Sequence, residues 1–105
     1  MNDDFYRDEV LSGRVAVETV RETGNVLAFR HTRPHWAVHV VVIPRQHVVS
    51  LTELGEATDG LLMELLEVVR DVASEVASKH GGAHIVTNVG KYQESKHLHF
   101  HVGAD

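Results

Sequence analysis

The chain is expected to fold as an α+β domain: a five-stranded antiparallel sheet with one long helix packed on one face and a short helix at the N-terminus. Three observations predict this. Apolar residues recur at helical spacing in a single stretch, from Leu61 to Val76. Five other stretches are β-branched or alternate with a period of two. One long helix cannot supply the crossovers that a parallel sheet would need. The 105 residues contain no internal repeat and no linker-like tract, so residues 1–105 are read as one domain, able to close a core but small enough to gain from a partner subunit.

Residues 3–12 read as a short helical or irregular lead-in, with Phe5, Val10 and Leu11 available to tuck onto the domain, and Gly13 breaks it. From Val15 the pattern becomes β: Val15, Val17 and Thr19 alternate with Ala16, Glu18 and Val20 as far as the turn pair Gly24-Asn25. Val26–Phe29 is then the second arm of a hairpin, and Pro34 closes it or the loop that follows. Val38–Ile43 is almost wholly apolar and β-branched, the signature of a central strand covered on both faces, and Pro44 stops it.

Between Ser50 and Gly60 lies a polar connector with two capping candidates, Thr52 and Thr58. Leu61, Leu65, Val69, Val72 and Val76 then mark the core stripe of a helix of roughly five turns, with Glu75 and Lys79 as a favourably oriented pair on its outer side. Gly81-Gly82 stops that helix. Ala83–Gly90 is expected as the fourth strand and His97–Gly103 as the fifth.

Composition limits the function classes. Apolar content of 43% and charged content of 24% are those of an ordinary globular protein. A formal net charge of −5 leaves no basic surplus to displace the counterions of a nucleic acid, so no nucleic-acid partner is expected. A small anionic substrate fits if its pocket is locally positive. The absence of Cys rules out disulfides and is compatible with a reducing compartment. Met1-Asn2-Asp3-Asp4 is acidic, with no basic region and no long apolar run behind it, so neither membrane nor export is indicated and the cytoplasm is the expected location.

In His97-Leu98-His99-Phe100-His101-Val102, imidazoles and apolar groups alternate. As a strand the segment puts three imidazoles on one face and three core residues on the other, whereas a helix would scatter the imidazoles around its circumference. Three readings follow. The imidazoles form a solvated face; or two of them converge on a metal ion, with the third needing a bend in the strand; or they meet a phosphate, one ring attacking while its neighbours hold oxygens or deliver a proton. His39, alone in an apolar run, is by default a core histidine, although the period of two puts it with Val41 and Ile43 on a face that a neighbouring strand could bring beside the three. Spacing alone makes Asn88 a turn residue before Gly90.

The segment His97–Val102 resembles the signature of the histidine triad family, with Gly103 in place of that signature's last apolar residue. Similar to family patterns too are His39 ahead of Ile43-Pro44-Arg45-Gln46-His47, Asn88-Val89-Gly90, and Gln93 four residues before His97; Glu94 matches a bacterial variant. The resemblance covers about Val15 to Val102. It implies that His99 attacks the α-phosphorus of a nucleotide conjugate to form a covalent nucleotidyl-histidine, and that His97 orients His99 through its backbone carbonyl. His101 and His39 would contact the phosphate or leaving group, with Asn88 and Gln93 at the phosphate. No cofactor or metal is implied, and a homodimer is. The activity implied is that of a hydrolase or transferase of nucleoside phosphoramidates or related conjugates; the alternative is a nucleotide-binding regulatory or scaffold protein with little turnover. Two departures bear on the substrate. His31 stands where many members carry an Asp that holds the ribose hydroxyls, and an imidazole cannot accept two hydroxyl protons as a carboxylate does. Longer relatives also carry a tail beyond Asp105 that shapes the leaving-group pocket, and Trp36 is expected to fill part of that space.

Overall fold

Gly24 and Asn25 turn the chain back on itself, pairing β1 (Thr19–Glu22) with β2 (Val26–Arg30) so that Glu22 faces Leu27 and Thr19 faces Phe29. The computed structural model describes residues 5–105, so Asp3 and Asp4 of the expected lead-in lie outside the described residues. β1 begins at Thr19 and not at Val15 because its partner is only five residues long, and the register slips between Thr19 and Arg21. All four β1 residues are exposed, as suits an edge.

β2 pairs with β3 (Val38–Pro44). Beyond the helix, β4 (His84–Val86) and β5 (Phe100–Ala104) complete an antiparallel sheet of order β1-β2-β3-β5-β4. The period of two sorts the side chains. Val26, Ala28, Val40, Val42, Leu98, Phe100 and Val102 pack with the apolar stripe of α1 (Asp59–His80) on one face. On the other face Leu27, Phe29, Val41 and Ile43 pack with Tyr6 and Val10 of a short π-helical segment, Tyr6–Leu11, supported by Phe5 and Leu11.

Thr58 caps α1, its Oγ1 accepting from the Leu61 N–H at 3.1 Å, and Gly81 ends it in the left-handed conformation at φ 86°. These caps lie outside the apolar stripe, so the 22-residue helix is about six turns long and not five. Glu75 and Lys79 pair at 3.3 Å. Glu64, on the same helix, accepts from Thr23 Oγ1, Asn25 Nδ2 and the Asn25 N–H, tying α1 to the hairpin turn; Asn25 and then Thr23 hold its carboxyl below the usual range. Leu65 is fully enclosed between helix and sheet, and truncating it to Ala should cost about 2–5 kcal/mol.

Two further strands are shorter than expected. β4 covers three residues of Ala83–Gly90, since β5 pairs with it only from His101 to Gly103. β5 begins at Phe100, leaving His97 and His99 ahead of it. The reason is Pro44, which has no N–H to extend the β3–β5 ladder. Before Phe100 the chain finds other partners, Leu98 N–H donating to the Val48 carbonyl at 2.6 Å.

Candidate functional site

A cleft of about 800 Å³ opens on the sheet face opposite α1, bordered by the loop after β2, the segment after β4, and the residues that lead into β5. His99 and His101 line it; His97 does not. The His97 ring is fully buried, and its Nε2–H donates to the Pro44 carbonyl at 2.7 Å while its Nδ1 lies 3.2 Å from His47 Nδ1. The expected row of three imidazoles on one face is therefore two rings in the cleft and one in the wall behind it, because the ladder ends before His97.

The protonation of His99 follows from its partner. Its Nδ1 lies 2.7 Å from the His97 backbone oxygen, which can only accept, so the ring proton sits on Nδ1 and Nε2 keeps its lone pair. The His99 backbone is pinned as well, its carbonyl accepting from Thr87 Oγ1 at 2.8 Å. Burial lowers the His99 pKa, outweighing the opposing pull of the His97 carbonyl.

His39 joins His101 because β3 and β5 are neighbours, with Val41 opposite His101. The His35 backbone N–H donates to His39 Nδ1 at 3.0 Å. His39 therefore carries its proton on Nε2 and donates it to His101 Nδ1, 2.9 Å away, which leaves the His101 proton on Nε2. Burial first, then neighbouring imidazoles, push His39 down to about 4 and His101 down to about 3. Without a ligand both are neutral at neutral pH.

His31 lines the cleft with its ring 4.3 Å from that of His39, centre to centre. Its Nδ1 accepts from the Arg33 N–H at 2.9 Å, so it too presents an Nε2–H. Burial and then His35 lower its pKa. Ring nitrogens of His31, His39 and His101 lie within 4.8 Å of one another, a spacing that invites a metal ion. The donor set does not fit one. A ligating imidazole offers one lone pair and donates its other N–H, whereas here backbone N–H groups occupy Nδ1 of both His31 and His39, leaving protons where a cation would bind. His39 gives its Nε2–H to His101, while His31 and His101 keep Nε2–H groups as donors, which suit an anion.

Asn88 lines the cleft, as does Glu94. Gln93 does not: it is buried, and its Nε2 donates to the Val49 carbonyl at 2.7 Å, a structural tie and not a contact with the phosphate position that the resemblance implied. Lys96 holds the same loop through the Gly90 and Gln93 carbonyls. Sequence reasoning missed Tyr6, Arg33 and His35, all cleft residues. His35 could have been suspected from its spacing of four before His39, but nothing local marks Tyr6. Trp36 also lines the cleft, its ring 4.5 Å from His39 and 5.2 Å from His84.

The family model of the HIT domain matches residues 13–104. A HIT-like protein of Helicobacter pylori is 30% identical over 97 residues, covering 90% of each chain. Among solved structures, a histidine triad protein of Clostridium difficile superposes with a TM-score of 0.81 at 28% identity, covering 98% of this chain and 90% of that one. A HIT family hydrolase of Legionella pneumophila superposes at 0.78 and 28% identity, covering 91% and 88%.

Proposed function

The chain belongs to the HIT domain family, the histidine triad proteins, and from that premise we propose that it is a nucleotidyl hydrolase or transferase acting on the α-phosphate of nucleoside phosphoramidates or related nucleotide conjugates. The observation that carries the reading is the His99 hydrogen bond to the His97 carbonyl, which leaves a neutral lone pair on Nε2 inside the cleft. That lone pair attacks phosphorus, forming a P–N bond as the bond to the leaving group breaks; water then displaces His99 and releases the nucleoside monophosphate. His101, with its ring centre 4.9 Å from that of His99 and its proton on Nε2, serves the departing atom in this reading, and His39 holds it by donating to its Nδ1. His101 keeps Nε2–H as a donor to the departing atom, and the proton that atom needs to leave comes from solvent, because His101 Nδ1 already accepts from His39 Nε2–H. The relative described as a HIT family hydrolase supports this class of activity.

The reading includes a homodimer in the cytoplasm. β4 is an edge strand whose Ile85 and Val86 are exposed, a surface that suits a second copy. Among the described residues no helix is long and apolar enough to cross a membrane.

Rapid-quench labelling with an α-phosphate-labelled adenosine phosphoramidate tests the mechanism. Label on His99 is expected in the parent, with turnover abolished and AMP binding kept in His99→Ala and His99→Asn. Undiminished turnover in either variant would end the covalent proposal.

A further inference from the structure

We propose that Tyr6 is a positioning residue for His99, holding the imidazole in its attacking orientation and shielding it from water; this rests on the reading of His99 as the nucleophile. The Tyr6 and His99 rings lie 4.7 Å apart at a tilt of 53°, and the residues are 6% and 4% exposed. His101 also stands against His99, ring centres 4.9 Å apart and nearly perpendicular. The bond from His99 Nδ1 to the His97 carbonyl selects which nitrogen faces the cleft, but the ring can still tilt about that one contact. Two ring contacts remove that freedom.

Tyr6 can do this because it is itself fixed. Its ring packs 5.9 Å from Phe29 and 5.6 Å from Phe5, within the apolar cluster that includes Val41 and Ile43 on the cleft side of the sheet. The segment that carries it is closed behind by Ser12 Oγ donating to the Asp8 carbonyl at 2.6 Å and by Val15 N–H donating to that of Glu9 at 2.9 Å. The N-terminal segment thus belongs to the active site, although no motif residue lies in it.

Charge is not how Tyr6 acts. Burial, then Glu94, push its phenol well above the usual range, so it faces His99 as a neutral ring. The other titratable groups acting on His99 are His97, His31, Glu94 and the adjoining His101. All of these remain when Tyr6 is changed. Removing the ring admits water to His99 and leaves those charges where they were.

Tyr6→Phe, Tyr6→Leu and Tyr6→Ala separate the roles, with turnover of an adenosine phosphoramidate and the NMR titration of the His99 ring in substrate-free protein as readouts. Tyr6→Phe should stay within about twofold of the parent in both kcat and KM, whereas Tyr6→Leu and Tyr6→Ala should lose roughly tenfold to a hundredfold in kcat with KM changed less than about threefold. In the last two variants the His99 titration, and with it the acid limb of the kcat/KM profile, should move up toward the ordinary imidazole value. Tyr6→Leu keeps apolar bulk over Phe29 and serves where Tyr6→Ala does not fold. A parent-like kcat and His99 titration in Tyr6→Leu would overturn the proposal, as would Tyr6→Phe falling as far as Tyr6→Leu. If the parent turns over no phosphoramidate, the nucleophile reading fails by itself, and the His99 titration still decides whether Tyr6 holds the ring.

Discussion

The indole of Trp36 fills the space a side chain at Gly103 would need: a Cβ there would stand 2.7 Å from Trp36 Cε3 and closer still to the Val38 carbonyl oxygen. The glycine that departs from the family signature is thus matched by a large residue on the facing loop. Gly103→Ala should destabilise the fold by about 1–3 kcal/mol in urea unfolding, by forcing backbone to move. Trp36→Ala should not rescue it, because the Val38 carbonyl still blocks the methyl group. Full rescue would show that the indole alone sets the constraint. Since Gly103 lies opposite His39, turnover should fall as well.

Acid should unfold this protein through its site histidines. His39 and His101 have pKa values of about 4 and about 3 when folded, against 6.5 for the free side chain. Below pH 6.5 the unfolded chain therefore binds protons that the native state refuses, so stability is fully present above the unfolded value and is lost as pH falls toward the folded ones. The loss from pH 6.5 to 4 should be on the order of 3 kcal/mol, less than the two shifts summed, because the rings share one hydrogen bond and His101 is partly open to water. His101→Asn should flatten the profile. A parent profile already flat over that interval would refute the linkage.

Metal should be dispensable for turnover. Backbone donors on Nδ1 of His31 and His39 put both ring protons on Nε2, where that of His39 goes to His101 and neither ring offers a lone pair to a cation, so exhaustive chelation should leave kcat unchanged. Stoichiometric zinc in untagged protein, with activity lost in chelator and restored by zinc, would reverse that conclusion.

Ser95 Oγ is buried without a hydrogen-bond partner among the described residues. Ser95→Ala removes the unsatisfied hydroxyl at little cost in packing and should raise stability by about 1 kcal/mol in thermal or urea unfolding. A loss of stability would mean that the hydroxyl is satisfied in solution.

His31 presents an N–H toward the cleft and offers no acceptor pair. If ribose hydroxyls are held at this position, His31→Asp should tighten AMP by roughly tenfold or more while leaving its 2′,3′-dideoxy analogue unchanged, each charge-assisted bond contributing about 1.5–3 kcal/mol. Calorimetry with both ligands reads this directly. Strong discrimination already present in the parent and unaltered in the variant would place the ribose elsewhere.

Much of the fold was legible locally. The alternation in Leu98, Phe100 and Val102 sends those residues to the helix side, the 3.6-residue stripe defines α1, and Thr58 and Gly81 mark its ends, because periodicity and capping depend on near neighbours in the chain. His99 and His101 were identifiable from the same alternation. His39 was ambiguous until β3 came to lie beside β5.

Strand ends, protonation states and contacts between distant rings were decided only in three dimensions. β5 starts at Phe100 because Pro44, on another strand, has no N–H to give, and that sends the His97 ring into the wall instead of the cleft. The protons on His31, His39, His99 and His101 follow from backbone groups of Arg33, His35 and His97 and from the contact between His39 and His101, geometry that composition cannot express. Tyr6 reaches His99 across nearly the whole length of the chain. A sequence pattern records which side chains share a face, but hydrogen bonds and ring contacts between remote segments exist only once the sheet has closed and brought their atoms within reach.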